Sequence, residues 1–459
     1  MALSQRSTAS TLAIMQATDS PNIRQVDLLV HASWILSVDA NNTVHKDASL
    51  AVNGSEIVGI CSQQQSSILF AAKQTIDLNG QLLCPGFVNA HGHSAMTLLR
   101  GFADDLPLMD WLENHIWPAE GQFVDAEFVE DGSKLAIAEM LLGGTTCFTD
   151  MYFFPNITAK LAHQYGIRSQ IAFPVLEMET SWASSLDEYI EKGLQLADEY
   201  KHNSFVDVCF GPHAPYTVSR TGLETVAMLA NETDAAVHIH LHETATEVDN
   251  FIAERGQRPL AMLNEIGLAS PRLQCAHMCH SNDEDLQILA DTGAHVVHCV
   301  RSNLKLASGF TPIHSMLDAG INVALGTDGA ASNNSLDMIA ELNISAILAK
   351  AVSGRADAVS ADQSLRNATI NGAKAIGRDK EIGSLEIGKQ ADFFALDVST
   401  LDCWPMYEPV SHLAYSANRQ QISNVWSAGK QRVRNRALTE IDTQELKTKA
   451  ERWRERIQA

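Results

Sequence analysis

Residues 235–243 read AAVHIHLHE. Histidine alternates with an aliphatic residue, the period of an extended strand whose faces differ. In such a strand His238, His240 and His242 point one way and Ile239 and Leu241 the other. The segment before it, RTGLETVAMLANET (220–233), is helical in pattern. The same succession recurs along the chain. Strand-like runs are QLLCPGFVNA (81–90), TTCFTDMYF (145–153), RSQIAFPVL (168–176), VDVCFGPHAP (206–215), RLQCAHM (272–278), AHVVHCV (294–300) and INVALGTDGA (321–330). Helix-like stretches such as DAEFVEDGSKLAIAEMLLGG (125–144) separate them. Eight strands alternating with helices across residues 85–378 predict an α/β fold, a (β/α)8 barrel of the TIM type. An open doubly wound sheet is the alternative. No G-x-G-x-x-G opens a helix after the first strand, which argues against a dinucleotide-binding form of it.

Outside that stretch the pattern changes. VDLLVHASWILSVD (26–39) and ASLAVNGSEIVGI (48–60) read as strands, with Asn53-Gly54 as a hairpin signal. GSLEIGKQADFFALDV (383–398) and ISNVWSAGKQRV (422–433) resume the β character. Residues 25–84 and 379–440 are therefore expected to form one small β-sandwich domain built from both ends of the chain. Residues 441–459 read as a C-terminal helix, and residues 1–24 as a disordered tail. That tail is Ser/Thr-rich but holds too few basic residues for a transit peptide.

The 459-residue chain is 45% hydrophobic and carries a formal net charge of −22. Such acidity disfavours nucleic acid and anionic membrane as partners. No apolar run reaches the roughly 18 residues of a membrane span. The eight cysteines lie mostly in apolar, strand-like runs, as buried free thiols do. They imply a reducing, cytoplasmic setting.

In a barrel of this kind the site lies at the carboxyl ends of the strands. Five of these strand ends carry unusual chemistry: His91 and His93, His213, the opening stretch with Glu243, His277 with His280, and Asp328. His91 and His93, at i and i+2, project to one side of an extended segment. With a third histidine and an aspartate from other strands they would close an N3O set suited to zinc. Cys275, His277 and Cys279 in CAHMC are a rival, but the second ligand pair of a structural zinc site is missing. The H-x-E…P-C-x-x-C deaminase signature is also absent.

PGFVNAHGHSAMTLLRG (85–101), GPHAPY (211–216), HIHLHET (238–244), SNLKLASG (302–309) and GTDGAASNNSLDM (326–338) resemble the amidohydrolase superfamily. More narrowly they resemble its 5'-methylthioadenosine/S-adenosylhomocysteine deaminases. The resemblance implies a zinc-dependent hydrolase that takes the amino group from a purine nucleoside. It implies one zinc ion per subunit on His91, His93, His240 and Asp328. Glu243 would be the proton shuttle, and His277 would contact the nucleophilic water. Glu120, in IWPAEGQF (116–123), would bind the ribose hydroxyls, and His213 the substrate. Glu243 and Asp328 would also touch substrate. Strand four lacks the bridging Lys or Glu of two-metal members. The segment after strand three, FPVLEMETSWASS (173–185), lacks the arginines that hold a homocysteine carboxylate in some members. That favours 5'-methylthioadenosine. A homo-oligomer, dimer or tetramer, is expected.

Among the three alternating histidines His240 is the expected ligand, since H-x-x-E spacing sets a base beside the metal. His238 is expected to be a core residue with a buried partner, whose loss mainly costs stability. His242 is expected to line the pocket. The role of His280 stays open. A ring aminohydrolase or chlorohydrolase acting on guanine-like or triazine substrates is the alternative function, and Glu120 discriminates against it, because those substrates bring no ribose. A barrel that has lost its metal and serves as an interaction protein is a further one, disfavoured by the complete ligand set.

Overall fold

The computed structural model describes residues 23–459; the expectation for the first residues falls outside them. Eight parallel strands follow one another in chain order as a sheet: Phe87–Asn89, Thr145–Asp150, Arg168–Val175, Val206–Pro212, Val237–Leu241, Leu273–His277, His295–His298 and Val323–Leu325. The last strand returns to the first. Ala90 N–H donates to Leu325 O at 2.9 Å and Asp328 N–H to His91 O at 3.0 Å, which draws the barrel together at its carboxyl end. Gly326 makes this approach possible: a Cβ there would lie 2.8 Å from both the Cβ and the main-chain nitrogen of His91. Helices between the strands bury apolar faces on the sheet, and the eight strands are almost wholly buried. That is why they read as nearly continuous apolar runs.

The two ends of the chain meet in a second sheet, mixed and also eight-stranded. Its long strands Arg24–Leu36 and Phe70–Pro85 pair in parallel at the centre. Val44–Asn53 and Glu56–Ser62 form the hairpin that Asn53-Gly54 foretold, with Gly54 at φ 60°. The strands Phe393–Asp397, Ile422–Ser427, Lys430–Arg434 and Ala437–Leu438 complete it from the other end. The sheet folds back on itself. Ile57 N–H reaches Lys389 O, Ala391 N–H reaches Ser55 O, and both halves share one core around Leu50, Leu83, Phe393 and Trp426.

Two local readings differ from this. QLLCPGFVNA is not one strand: Gln81–Pro85 ends the long strand of the mixed sheet, and only Phe87–Asn89 enters the barrel. Pro85 has no amide hydrogen for a ladder, and Gly86 lies so near Thr146 that no side chain would fit. Gln63–Leu69, inside a segment read as all β, is a helix.

Arg168, 2% exposed, ties the two sheets together. It bonds Asp392 at 2.7 Å, Gln390 at 2.8 Å and Ser204 O at 2.7 Å. Burial would favour a neutral guanidine, and Asp392 overcomes it, so the guanidinium stays charged. The helix Thr443–Gln458 closes the chain. It buries Trp453 against Phe128 and gives its indole hydrogen to Asp131 at 3.0 Å.

Candidate metal centre and substrate cavity

Five side chains from four strand ends converge on one point. His91 and His93 follow the first strand, His240 lies in the fifth, His277 ends the sixth and Asp328 follows the eighth. Nε2 of His91 and of His93 stand 3.3 and 3.2 Å from Asp328 Oδ1. Nε2 of His93 and of His240 are 3.3 Å apart. Ligand atoms of His91, His93 and His240 lie within 4.8 Å of one another, as do those of His91, His277 and Asp328.

The other ring nitrogens explain why this is a cation site. His93 Nδ1 faces Met151 O at 2.6 Å and His240 Nδ1 faces His213 O at 2.8 Å. A carbonyl only accepts, so each Nδ1 carries the hydrogen and each Nε2 offers a lone pair. His91 Nε2 is buried without a hydrogen-bond partner. Several lone pairs and a carboxylate thus converge with no donor between them. A divalent cation resolves that repulsion, and three nitrogens with one oxygen are a donor set that zinc accepts. Without a metal a proton takes its place. Burial would depress His93, but Asp328 more than reverses this and raises it to about 9. Asp328 responds in kind: burial would lift it, yet His91 and His93 hold it well below the usual carboxylate range. Ser302 at 2.6 Å and Ser332 at 2.9 Å donate to its Oδ2.

The backbone that aims these groups is unusual. His277 has φ 76°, Met278 φ 51° and Asp328 φ 62°, all left-handed and none a glycine. Such conformations cost energy and gather at functional sites. His277 Nδ1 donates to Asn303 Oδ1 at 2.8 Å, so its Nε2 faces the site as an acceptor. Glu243 Oε2 lies 3.6 Å from that nitrogen, while its Oε1 accepts from Ser308 Oγ at 3.0 Å. Burial raises the Glu243 carboxyl, which helps it to hold a proton.

A cavity of about 320 Å³ opens from this point. His93, His213, His240, Glu243, His277 and Asp328 line it, together with Leu108, Trp111, Trp117 and Glu120. Glu120 accepts from Tyr152 OH at 2.6 Å, and burial pushes its carboxyl up to about 7. Burial drives His213 down to about 4, so it is neutral near pH 7. Among the described residues, no lysine or arginine lines this cavity.

His242 requires a correction. It does not line the cavity: φ 52° at His242 ends the strand alternation and swings the ring into the core behind it. There its Nε2 accepts from Leu260 N–H at 3.2 Å, and Nδ1 lies 3.5 Å from Asp285. His280 also turns away from the centre, giving its Nε2 hydrogen to Ser308 O at 2.6 Å. The rival CAHMC site does not form: Cys275 and Cys279 are buried free thiols, their ionisation suppressed by burial. Tyr152, Asn303, Ser302, Ser308 and Ser332 were not singled out from sequence. Four of the five lie inside the SNLKLASG and GTDGAASNN stretches, whose length was the available signal.

Residues 82–432 match the model of the Amidohydrolase family. A 5-methylthioadenosine/S-adenosylhomocysteine deaminase of Teredinibacter turnerae is 51% identical over 438 residues, 95% of this chain and 99% of that protein. The crystal structure of an adenosine deaminase from Xanthomonas campestris with bound zinc superposes with a TM-score of 0.94 at 45% identity, over 95% of this chain and 99% of that one. An atrazine chlorohydrolase from Arthrobacter aurescens, complexed with zinc, gives a TM-score of 0.86 at 23% identity over 93% and 99%, a likeness of fold alone.

Proposed function

The chain belongs to the amidohydrolase family, and we propose that it is a zinc-dependent deaminase of adenosine analogues. Its substrates are 5'-methylthioadenosine first and S-adenosylhomocysteine and adenosine beside it; the products are the inosine analogue and ammonia. The observation that carries this reading is the convergence of His91, His93, His240 and Asp328 beside Glu243, in a cavity that Glu120 also lines.

His91, His93, His240 and Asp328 would hold one zinc ion, which would supply Lewis acidity and lower the pKa of a water from 15.7 toward about 7. Asp328 takes the proton of the attacking water. His277, fixed by Asn303 so that Nε2 accepts, holds the remaining hydrogen and aims the oxygen at C6 of the adenine ring. Glu243 gives a proton to ring N1 as the C6–O bond forms, so no negative charge builds on the ring. Ser308 occupies Glu243 Oε1, which leaves Oε2 to face the reacting atoms. A second proton passes to the exocyclic nitrogen, the C6–N bond breaks and ammonia leaves. Glu120 accepts from the ribose hydroxyls, and neutral His213 lies against the substrate.

The preference for a neutral 5' substituent rests on the charge of the cavity. Glu179 lines it and, among the described residues, no lysine or arginine does. A homocysteine carboxylate bound there would lose a charge-assisted bond. The resemblance carries two further expectations, a homo-oligomer and a cytoplasmic location, which sedimentation and cell fractionation would read. Among the described residues no helix is long and apolar enough to cross a membrane. Steady-state rates on 5'-methylthioadenosine, adenosine, S-adenosylhomocysteine, guanine and melamine test the proposal. The adenosine analogues should dominate. Faster turnover of guanine or melamine would overturn it, and a clear lead for S-adenosylhomocysteine would overturn the charge argument.

A further inference from the structure

The three histidines of the metal centre are not anchored alike. His93 and His240 give their Nδ1 hydrogens to main-chain carbonyls. His91 has none to use. Its Nδ1 meets Nε2 of His238 at 2.7 Å, His238 Nδ1 meets Gln274 Oε1 at 2.8 Å, and Gln274 Nε2 reaches Ala375 O at 2.9 Å. His91, His238 and Gln274 are each 0% exposed. His238 and Gln274 face one another across paired strands in register, and the rings of His91 and His238 lie edge to edge and nearly coplanar across their hydrogen bond, with centroids 4.9 Å apart and planes 19° apart.

With neutral rings, one arrangement of hydrogens satisfies this chain. Ala375 O can only accept, so the Gln274 amide turns its NH2 there and its oxygen to His238. That oxygen calls for a hydrogen on His238 Nδ1, leaving a lone pair on Nε2. The lone pair calls for a hydrogen on His91 Nδ1. His91 Nε2 is then a bare lone pair, and it is this atom that lies 3.3 Å from Asp328 and has no other partner.

We propose that His238 and Gln274 are positioning residues for the metal, a directional relay that locks His91 in the zinc-binding tautomer and orients its ring from the helix Ile370–Ala375. The relay rests on the reading of His91 as a ligand. It also revises the expectation that loss of His238 mainly costs stability. Outer hydrogen bonds to ligand histidines typically set metal affinity within a factor of about 10–100.

The test is zinc affinity, read by chelator competition on metal-stripped protein, beside thermal melting of the stripped form. His238→Phe keeps an aromatic ring in the core but removes the acceptor, and should weaken zinc by about 10- to 100-fold. Gln274→Leu, two hydrogen bonds from His91, should weaken it about 10-fold. The double variant should bind zinc no worse than His238→Phe, because a relay cut at its first link ignores the second. His238→Gln, whose oxygen can still accept from His91, should recover part of the affinity; this variant and Gln274→Leu carry the test if His238→Phe does not fold. Parental zinc affinity in Gln274→Leu, with a lowered melting temperature, would assign the chain to packing alone and overturn the relay. A parent protein that takes up no zinc would instead overturn the metal reading itself.

Discussion

Two parts of the site are built differently. At the metal centre the side chains stand on or beside barrel strands, and each of His91, His93, His240 and His277 has its second ring nitrogen tied to an acceptor. The segment 108–123 lines the cavity from helices instead: Leu108 and Trp111 from Leu108–Trp111, Leu112 from the π-helical turn Leu112–Ile116, and Trp117 and Glu120 from Trp117–Phe123. Its one buried carboxylate, Glu120, has a single hydrogen-bond partner, Tyr152. Reaction needs atoms held to fractions of an ångström, so its groups sit on strands. Recognition is spread over apolar area and one polar anchor, which loops can supply.

On that division, substitutions at the metal centre abolish chemistry for every substrate, and those in the helical segment 108–123 sort substrates. The largest effect is expected from His240→Ala: bound zinc and measurable turnover should vanish together on all substrates. Metal analysis that finds full occupancy would remove His240 from the centre.

Next comes Glu243→Gln. It keeps the side chain's size and should leave zinc in place while turnover falls by at least about 10²-fold, the usual contribution of a positioned acid or base. Equal losses on 5'-methylthioadenosine and on a dideoxy analogue are expected, because the proton it moves belongs to the ring. Near-normal turnover would break the assignment.

The smallest effect lies in the helical segment and is selective. Glu120→Ala should lower kcat/KM for 5'-methylthioadenosine by about 10- to 150-fold, from the roughly 1.5–3 kcal/mol of a hydrogen bond to a charged group. It should hardly change 2',3'-dideoxyadenosine. The intact protein offers a pH version of this contrast. With its carboxyl raised to about 7 by burial, Glu120 is a charged acceptor above that pH and protonated below it. kcat/KM for hydroxyl-bearing nucleosides should therefore decline as pH falls through about 7, a limb absent from the dideoxy analogue. Identical profiles for the two would mean that Glu120 holds its helix, not the sugar.

Legibility in the sequence follows the same division. The barrel strands could be seen because burial on both faces makes each an apolar run, though the first was read too long, and five of their carboxyl ends could be seen because His, Glu or Asp interrupts that run. The sandwich halves were legible from their turns, since Asn53-Gly54 allows the left-handed residue a tight hairpin needs. The helix Gln63–Leu69 was not, because seven residues give too little period to compete with the strands around it.

Composition and local pattern alone determined the alternation of strands and helices, the face that His238 and His240 share, and the spacing that places Glu243 beside His240. These depend on chain geometry within a few residues. Only the folded chain decided that His242 leaves that face, because a left-handed φ has no signature in a histidine. It also decided that the partner of His238 is His91, 147 positions away, with Gln274 and Ala375 beyond it. Those contacts exist because closing a barrel brings its first, fifth and sixth strands and its last helix to one axis, and nothing local to any of them encodes that meeting.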